Sequence, residues 1–243
     1  MVSIWGLTDK GLVRRDNQDS CAYEAKEGKY AWAVVCDGMG GAAAGDLAST
    51  MAVSRFQNHM VCLEEPDVYQ EEGQLLVQAT EAANRAVYLK AGTNRAYAGM
   101  GTTLVGALLR ENTLWVVNVG DSRAYHITKE AIQRITRDHS VVEDLVRKGD
   151  ITPEEARRHP QKNLITRALG TTRQVKVDLF QRNVKEGDAI LLCSDGLVNE
   201  VTDGDIWKEI LAGGTPEDIC RRLLDRTLAE GAPDNVTIVL FQL

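Results

Sequence analysis

The sequence is short of the features that usually announce a function. Its five cysteines, Cys21, Cys36, Cys62, Cys193 and Cys220, are odd in number and form no CxxC pair. That pattern excludes a disulfide framework and a structural zinc site, and the cysteines read as buried, reduced thiols of a cytoplasmic protein. Aromatic residues make up only 5% of the chain, and histidine occurs four times. Basic residues number 28 against 35 acidic ones, for a net charge of −7. With neither a basic stripe nor stacking aromatics, the chain cannot track a phosphate backbone, so nucleic acid is not an expected partner. No apolar run approaches the ~20 residues of a membrane span. The first ten residues lack a basic segment followed by an apolar one, so no signal peptide and no membrane association are expected. Repeats, low-complexity tracts and Pro/Ser-rich linkers are also missing.

What remains is ordinary globular material. Apolar residues are 44% of 243 positions, enough for a sizeable core. Apolar segments bounded by turn residues predict strands at 3–7, 20–24, 31–37, 102–109, 114–119, 123–127, 132–135, 164–168, 175–180, 189–193 and 236–241. Apolar residues at helical spacing predict long helices at 44–60 and 74–91. Thr215-Pro216-Glu217-Asp218 combines an N-cap with proline at the first helical position and opens a helix to about residue 230. Thr152-Pro153-Glu154-Glu155 is a capping box that opens a short helix ending before Pro160. Paired helices beside strand meanders, without strict βαβ alternation, predict an α+β fold of two packed antiparallel sheets with helices outside. The charge-rich segment 140–161 interrupts the strand series and reads as a surface excursion.

The most informative residues are aspartates at strand ends. Asp37-Gly38-Met39-Gly40-Gly41 follows AWAVVC, Asp195-Gly196 follows AILLCS, Asp121 stands between two strands, and Asp234 precedes the last strand. Asp-Gly after a strand is common turn chemistry, so any one of these is explained by its turn alone. Two of them, however, follow apolar strands that would lie centrally in a sheet. A carboxylate there is poorly solvated and calls for a cation. With no histidine beside them, and with Cys36 and Cys193 read as buried thiols at the ends of their strands, the acids offer oxygen only, which suits Mg²⁺ or Mn²⁺ and disfavours zinc. Paired oxygen-ligated ions are a recurrent device for phosphoryl chemistry. Asp37 is the best candidate to bridge two ions, and the Gly38 carbonyl is a further candidate ligand because glycine lets backbone approach closely.

In chain order, Arg14-Arg15-Asp16-Asn17-Gln18-Asp19, the Asp37–Gly41 segment, Met100-Gly101-Thr102-Thr103, Asn118-Val119-Gly120-Asp121-Ser122-Arg123, Ser194-Asp195-Gly196-Leu197 and Asp234-Asn235 resemble the motifs of the PPM family of metal-dependent Ser/Thr protein phosphatases (type 2C), in its compact bacterial form. The resemblance spans essentially the whole chain, and the ordered set is far more specific than any one motif. It implies a single catalytic domain over 1–243, built as a four-layer αββα sandwich with a flap at about 138–169. It implies hydrolysis of phosphoserine and phosphothreonine on proteins by a metal-activated water, with no catalytic cysteine. Two to three Mn²⁺ or Mg²⁺ ions per chain are implied: Asp37, Asp195 and Asp234 on one, Asp37 and the Gly38 carbonyl on a second with Asp19 acting through bound water, and Asp121 with Asp195 on a third. Arg14 is the implied phosphate-binding arginine, whose planar fork can grip two phosphate oxygens; Arg15 reads as a solvated neighbour. The implied partners are phosphorylated proteins and an opposing Ser/Thr kinase pathway, for a monomeric cytoplasmic signalling enzyme.

One departure from the family pattern bears on mechanism. Many bacterial members carry histidine just after DGMGG, where this chain has Ala42, and the eukaryotic-type histidine after Asp-Gly is replaced by Met39. The metals are thus better specified than the general acid, and lower turnover at neutral pH is expected. Ala42 is also the one feature in favour of the alternative, a catalytically weak or pseudophosphatase regulatory module. The complete aspartate set argues against that alternative, and the acidic net charge argues against a metal-dependent nuclease. His59 reads as a surface residue and His126 as structural, while His159 precedes Pro160 at a helix end. His139, entering the flap, is assigned to local structure ahead of proton transfer.

Overall fold

Side-chain alternation along one strand accounts for the layering. In β3 (Tyr30–Met39), Ala31, Ala33 and Val35 enter one apolar cluster, while Trp32, Val34 and Cys36 enter another. A strand buried on both faces reads as the continuous apolar run seen here. The computed structural model describes residues 2–40, 42–64 and 71–243; Gly41 and the side chain of Ala42, on which the general-acid expectation turns, lie outside the described residues.

β3 pairs antiparallel with β2 (Asp19–Lys26) and β5 (Leu104–Arg110), and the short β4 (Gly101–Thr102) adds to its end. β5 pairs with β6 (Thr113–Val119), and β6 with β9 (Asp178–Asn183). The second sheet has the order β1 (Ser3–Asp9), β11 (Val236–Gln242), β10 (Ala189–Cys193), β7 (Arg123–Ile127), β8 (Ile132–Arg134), again antiparallel. α1 (Ala42–Met60) and α2 (Glu72–Ala91) cover the outer face of the first sheet, where Phe56 and Leu76 pack with Trp32 and Leu108. α5 (Asp195–Val198), α6 (Asp203–Leu211) and α7 (Pro216–Ala229) cover the second, where Ile206 and Leu223 pack with Leu191 and Ile238. Between the sheets, Ala33, Val35 and Ala107 meet Ile190, Leu192 and Phe241. The result is the expected four-layer αββα sandwich. Among the described residues no helix is long and apolar enough to cross a membrane.

Departures from the expected elements fall at edges. The segment 164–168 is not a strand; it makes isolated bridges only at Ser140↔Ile165 and, just beyond, Thr102↔Leu169. Its apolar residues belong to the returning stem of the flap, and Leu164 is half exposed. The strand expected at 175–180 begins three residues later, because Val175 and Val177 pack against the helix-side core before pairing with β6 starts at Asp178. The expected 102–109 strand is interrupted at Thr103. α5 and α6 were not anticipated, although Thr202, whose hydroxyl accepts the Asp205 N–H, is a legible cap for α6.

Between β8 and β9 the chain forms the excursion at 138–169. It carries α3 (Val141–Lys148), capped by Ser140, and α4 (Pro153–Arg158), opened by the Thr152/Glu155 capping box. Neither helix buries a residue. Its base is held by Arg134 on Glu143 at 3.0 Å and by the Val141 N–H donating to the Leu164 carbonyl.

Candidate active site

The alternation that builds the sandwich also delivers acids to one end of it. Cys21, Val35, Leu192 and Val239 all face the inter-sheet core. Two positions along each strand, with the same parity, stand Asp19, Asp37, Ser194 and Thr237. Asp19 and Asp37 are direct cross-strand partners. Asp19 Oδ2 accepts from Ser194 Oγ and from Thr237 Oγ1, both at 2.7 Å, so the two sheets meet on one carboxylate. Its other oxygen, Oδ1, is buried with no hydrogen-bond partner.

Asp121 arrives by a different route. β6 belongs to the first sheet and β7 to the second, so the chain crosses between sheets at Gly120-Asp121-Ser122. Gly120 has φ +113, and a Cβ there would stand 2.6 Å from Thr103 Cγ2, so only glycine fits. Ser122 Oγ and Thr103 Oγ1 share a hydrogen bond of 2.7 Å, and Thr103 Oγ1 accepts the Asp37 N–H at 2.9 Å. Gly38 follows where α1 comes close, since a Cβ would lie 2.1 Å from the Gly45 carbonyl. Asp195 opens α5; Asn199 Nδ2 donates to its Oδ2 at 3.0 Å, while its Oδ1 is buried and unpartnered.

Asn235 fixes the opening loop. Its Oδ1 accepts the Gln18 N–H, and its Nδ2 donates to the carbonyls of Lys10 and Asp16. That clamp brings Arg14 to Asp234, at 2.7 Å between Nη2 and Oδ2. Arg14 stays half exposed, with its guanidinium at the mouth of the site. Thr103, Ser194, Asn199, Asn235 and Thr237 carry supporting roles that were not assigned from sequence. The available signal was a hydroxyl or amide beside each acid.

All the candidate residues except Asp19 line one open pocket of about 420 Å³: Arg14, Asp37, Gly38, Asp121, Asp195 and Asp234. Asp19 sits behind Asp37, and Asn163 and Ile165 form the flap side. Burial, then its acidic neighbours Asp195 and Asp234, pushes the Asp19 carboxyl up to about 7, even though Ser194 and Thr237 hydrogen-bond to it. Burial and then Asp19 and other aspartates hold Asp37 well above the carboxylate range. Asp121 and Asp195 are raised for the same reason, burial first and then a neighbouring aspartate. Acids in this state bind either protons or a cation. The unpartnered oxygens of Asp19 and Asp195 fit a hard, oxygen-seeking ion. Among the described residues no three such groups already form a closed cation cage; the carboxylates line the walls of the pocket. That arrangement suits ions that retain several waters.

The remaining groups have structural duties. The four cysteines whose side chains are described are free; burial pushes Cys21 up to about 11 and Cys220 up to about 12, so neither is a nucleophile at neutral pH. None of the histidines lines the pocket. His59 bonds the Arg55 carbonyl on its own helix, His126 pairs with Asp188 at 2.8 Å, and His159 accepts the Gln161 N–H. His139 is buried against Gly120 and Asp178, as the local-structure reading expected.

Comparison with known proteins gives one consistent answer. A family profile described as protein phosphatase 2C matches residues 13–217. The serine/threonine phosphatase stp of Listeria innocua is 34% identical over 241 residues, covering 97% of this chain and 93% of the relative. The solved structure of serine/threonine phosphatase Stp1 from Staphylococcus aureus superposes with a TM-score of 0.92 at 38% identity, over 100% of this chain and 95% of that one. The catalytic domain of serine/threonine protein phosphatase PstP, solved in complex with two manganese ions, superposes with a TM-score of 0.86 at 35% identity, over 99% of this chain and 97% of that one. Motif order, sandwich topology and these likenesses agree, and the chain belongs to the protein phosphatase 2C family.

Proposed function

We propose that this chain is a metal-dependent protein serine/threonine phosphatase that hydrolyses phosphoserine and phosphothreonine by direct attack of water. The observation that carries the reading is a pair of buried carboxylate oxygens, on Asp19 and Asp195, with no protein partner, beside a pocket of aspartates lined also by Arg14, half exposed, and Arg15. Asp37, Asp195 and Asp234 would hold one ion; Asp37 and the Gly38 carbonyl a second, with Asp19 behind them; Asp121 and Asp195 a third. Bound there, two to three Mn²⁺ or Mg²⁺ ions supply an acidified water and neutralise phosphate charge. The two manganese ions of PstP support that choice of metal. Ser194 and Thr237 orient Asp19, Thr103 holds the Asp37 backbone, and Asn199 orients Asp195. Arg14 would leave Asp234 for two oxygens of the substrate phosphate.

Arg14→Ala is therefore expected to lower kcat/KM for a phosphopeptide by about 10- to 100-fold, chiefly through KM, with Arg14→Lys intermediate because it lacks the fork. Steady-state kinetics with Mn²⁺ check this; an unchanged KM would remove Arg14 from phosphate binding. The flap at 138–169, which contributes Asn163 and Ile165, is the proposed surface for selecting phosphorylated protein partners. Further proposals are that the chain works as a cytoplasmic, monomeric signalling enzyme opposite a Ser/Thr kinase. Free cysteines among the described residues and the acidic net charge are compatible with that setting. Phosphate release from p-nitrophenyl phosphate and from a phosphothreonine peptide, measured with Mn²⁺ alongside cleavage of DNA, tests the function. Release from both phosphomonoesters and none from DNA is expected; silence on both at saturating Mn²⁺ would refute it.

A further inference from the structure

The chemistry above does not use His139, yet every polar atom of this buried residue is engaged. Its N–H donates to the Gly120 carbonyl at 2.9 Å, and its ring Nδ1 accepts the Gly120 N–H at 2.9 Å. Its own carbonyl accepts the Thr166 N–H at 2.7 Å, and its Nε2 lies 3.1 Å from Asp178 Oδ2. A ring nitrogen that accepts an amide proton carries none itself. The imidazole is therefore the neutral Nε2–H tautomer, and it donates to Asp178. Asp178 also receives Arg167 at 2.7 Å. One residue, through its ring and its backbone, thus joins the turn before Asp121, the outgoing stem of the flap, its returning stem at Thr166, and Asp178 at the start of β9, which also holds Arg167.

We infer that His139 is a positioning residue that locks the flap and the Asp121 turn into one unit. The need for such a lock comes from Gly120. With φ at +113 and no side chain, it has little local restraint of its own. Both of its backbone groups are tied by His139, and its carbonyl also accepts Asn118 Nδ2 at 3.2 Å. With that turn held, the Asp121 carboxylate keeps a fixed relation to Asn163 and Ile165 across the pocket. The consequence for substrates rests on the phosphatase reading; the mechanical role does not.

Two substitutions separate the halves of the ring. In His139→Asn the amide oxygen occupies the place of Nδ1, keeping the Gly120 contact and losing Asp178. In His139→Gln the amide reaches towards Asp178, and the Gly120 contact is lost. His139→Phe removes both. Amide hydrogen exchange at Gly120 and Thr166 is read in the metal-free protein, beside kcat and KM with Mn²⁺ for p-nitrophenyl phosphate and for a phosphopeptide. The Phe and Gln variants are expected to exchange Gly120 about tenfold faster, and the Asn variant much less so. They should also lose kcat on both substrates, with KM raised for the phosphopeptide alone. Unchanged Gly120 exchange in the Phe and Gln variants overturns the inference. So does a phosphopeptide KM that stays constant in the Gln variant. If the Phe variant does not fold, the Asn and Gln pair decides, and Asn as damaging as Gln overturns it. A wild-type protein inactive on both substrates would refute the phosphatase reading and leave the exchange result standing.

Discussion

Asp195→Asn is expected to lower kcat for a phosphopeptide by about 100-fold or more while making the metal-free protein more stable, and Asp37→Asn to do the same. Both effects come from one arrangement. Asp37 is held well above the carboxylate range and Asp195 is raised, by burial first and then by the aspartates around them, so in the absence of a cation the native state carries their repulsion. An amide has nearly the same shape and no charge. At Asp195 it still offers an oxygen to Asn199, so the local hydrogen bond survives. Removing one charge relieves the apo protein but takes away a ligand that the proposed ions need. Calorimetry in EDTA should show a higher Tm for both variants, and kinetics at saturating Mn²⁺ should show the loss. Near-normal turnover in either variant would sink the metal assignment, and a lower apo Tm would show that repulsion is not what raises these groups.

The second large effect is on pH. Asp19 moves from 3.8 unfolded to about 7 folded, chiefly through burial, and Asp37, Asp121 and Asp195 move in the same direction. Between about pH 4 and 7 the native state therefore binds more protons than the unfolded chain, and metal-free stability falls as pH rises. The stabilising contribution is fully present below the unfolded value and is lost as pH rises through the folded one. For Asp19 that window closes near 7, and the other three act in the same direction. A bound divalent cation replaces those protons and stabilises the native state by mass action, about 2.7 kcal/mol at 100 times Kd. Tm in EDTA should thus decline from pH 5 to pH 8, while Tm in saturating Mn²⁺ should hold or rise, so that the two curves diverge. Curves that converge at pH 8 would contradict a cation site built from these acids.

Much of this was legible in the chain. The short run AWAVVC ending in Asp37, with paired valines and turn residues on both sides, reads as a buried strand, and β3 is that strand. AILLC became β10 with the expected bounds. Caps at Thr152 and Thr215 marked their helices because capping is a contact across three residues. Legibility failed where a segment's partner decides its state. Residues 164–168 look like a strand by composition, but they return along the stem of the flap and find only isolated bridges. Val175 and Val177 are spaced like a strand, yet the helix-side core claims them before β6 pairs.

The site divides in the same way. The sequence by itself determined which acids are present and that Asp37, Asp121, Asp195 and Asp234 stand at or near strand ends. Those are local properties of a pleated chain. Only the tertiary structure decided that Ser194 and Thr237, far along the chain, would reach across from the other sheet to grip Asp19, and that Asn235 would clamp the opening loop and set Arg14 on Asp234. The same holds for His139, which ties the flap to the turn before Asp121. The physical reason is that such hydrogen bonds depend on how two sheets stack and where they part, which no stretch of sequence encodes within its own neighbourhood.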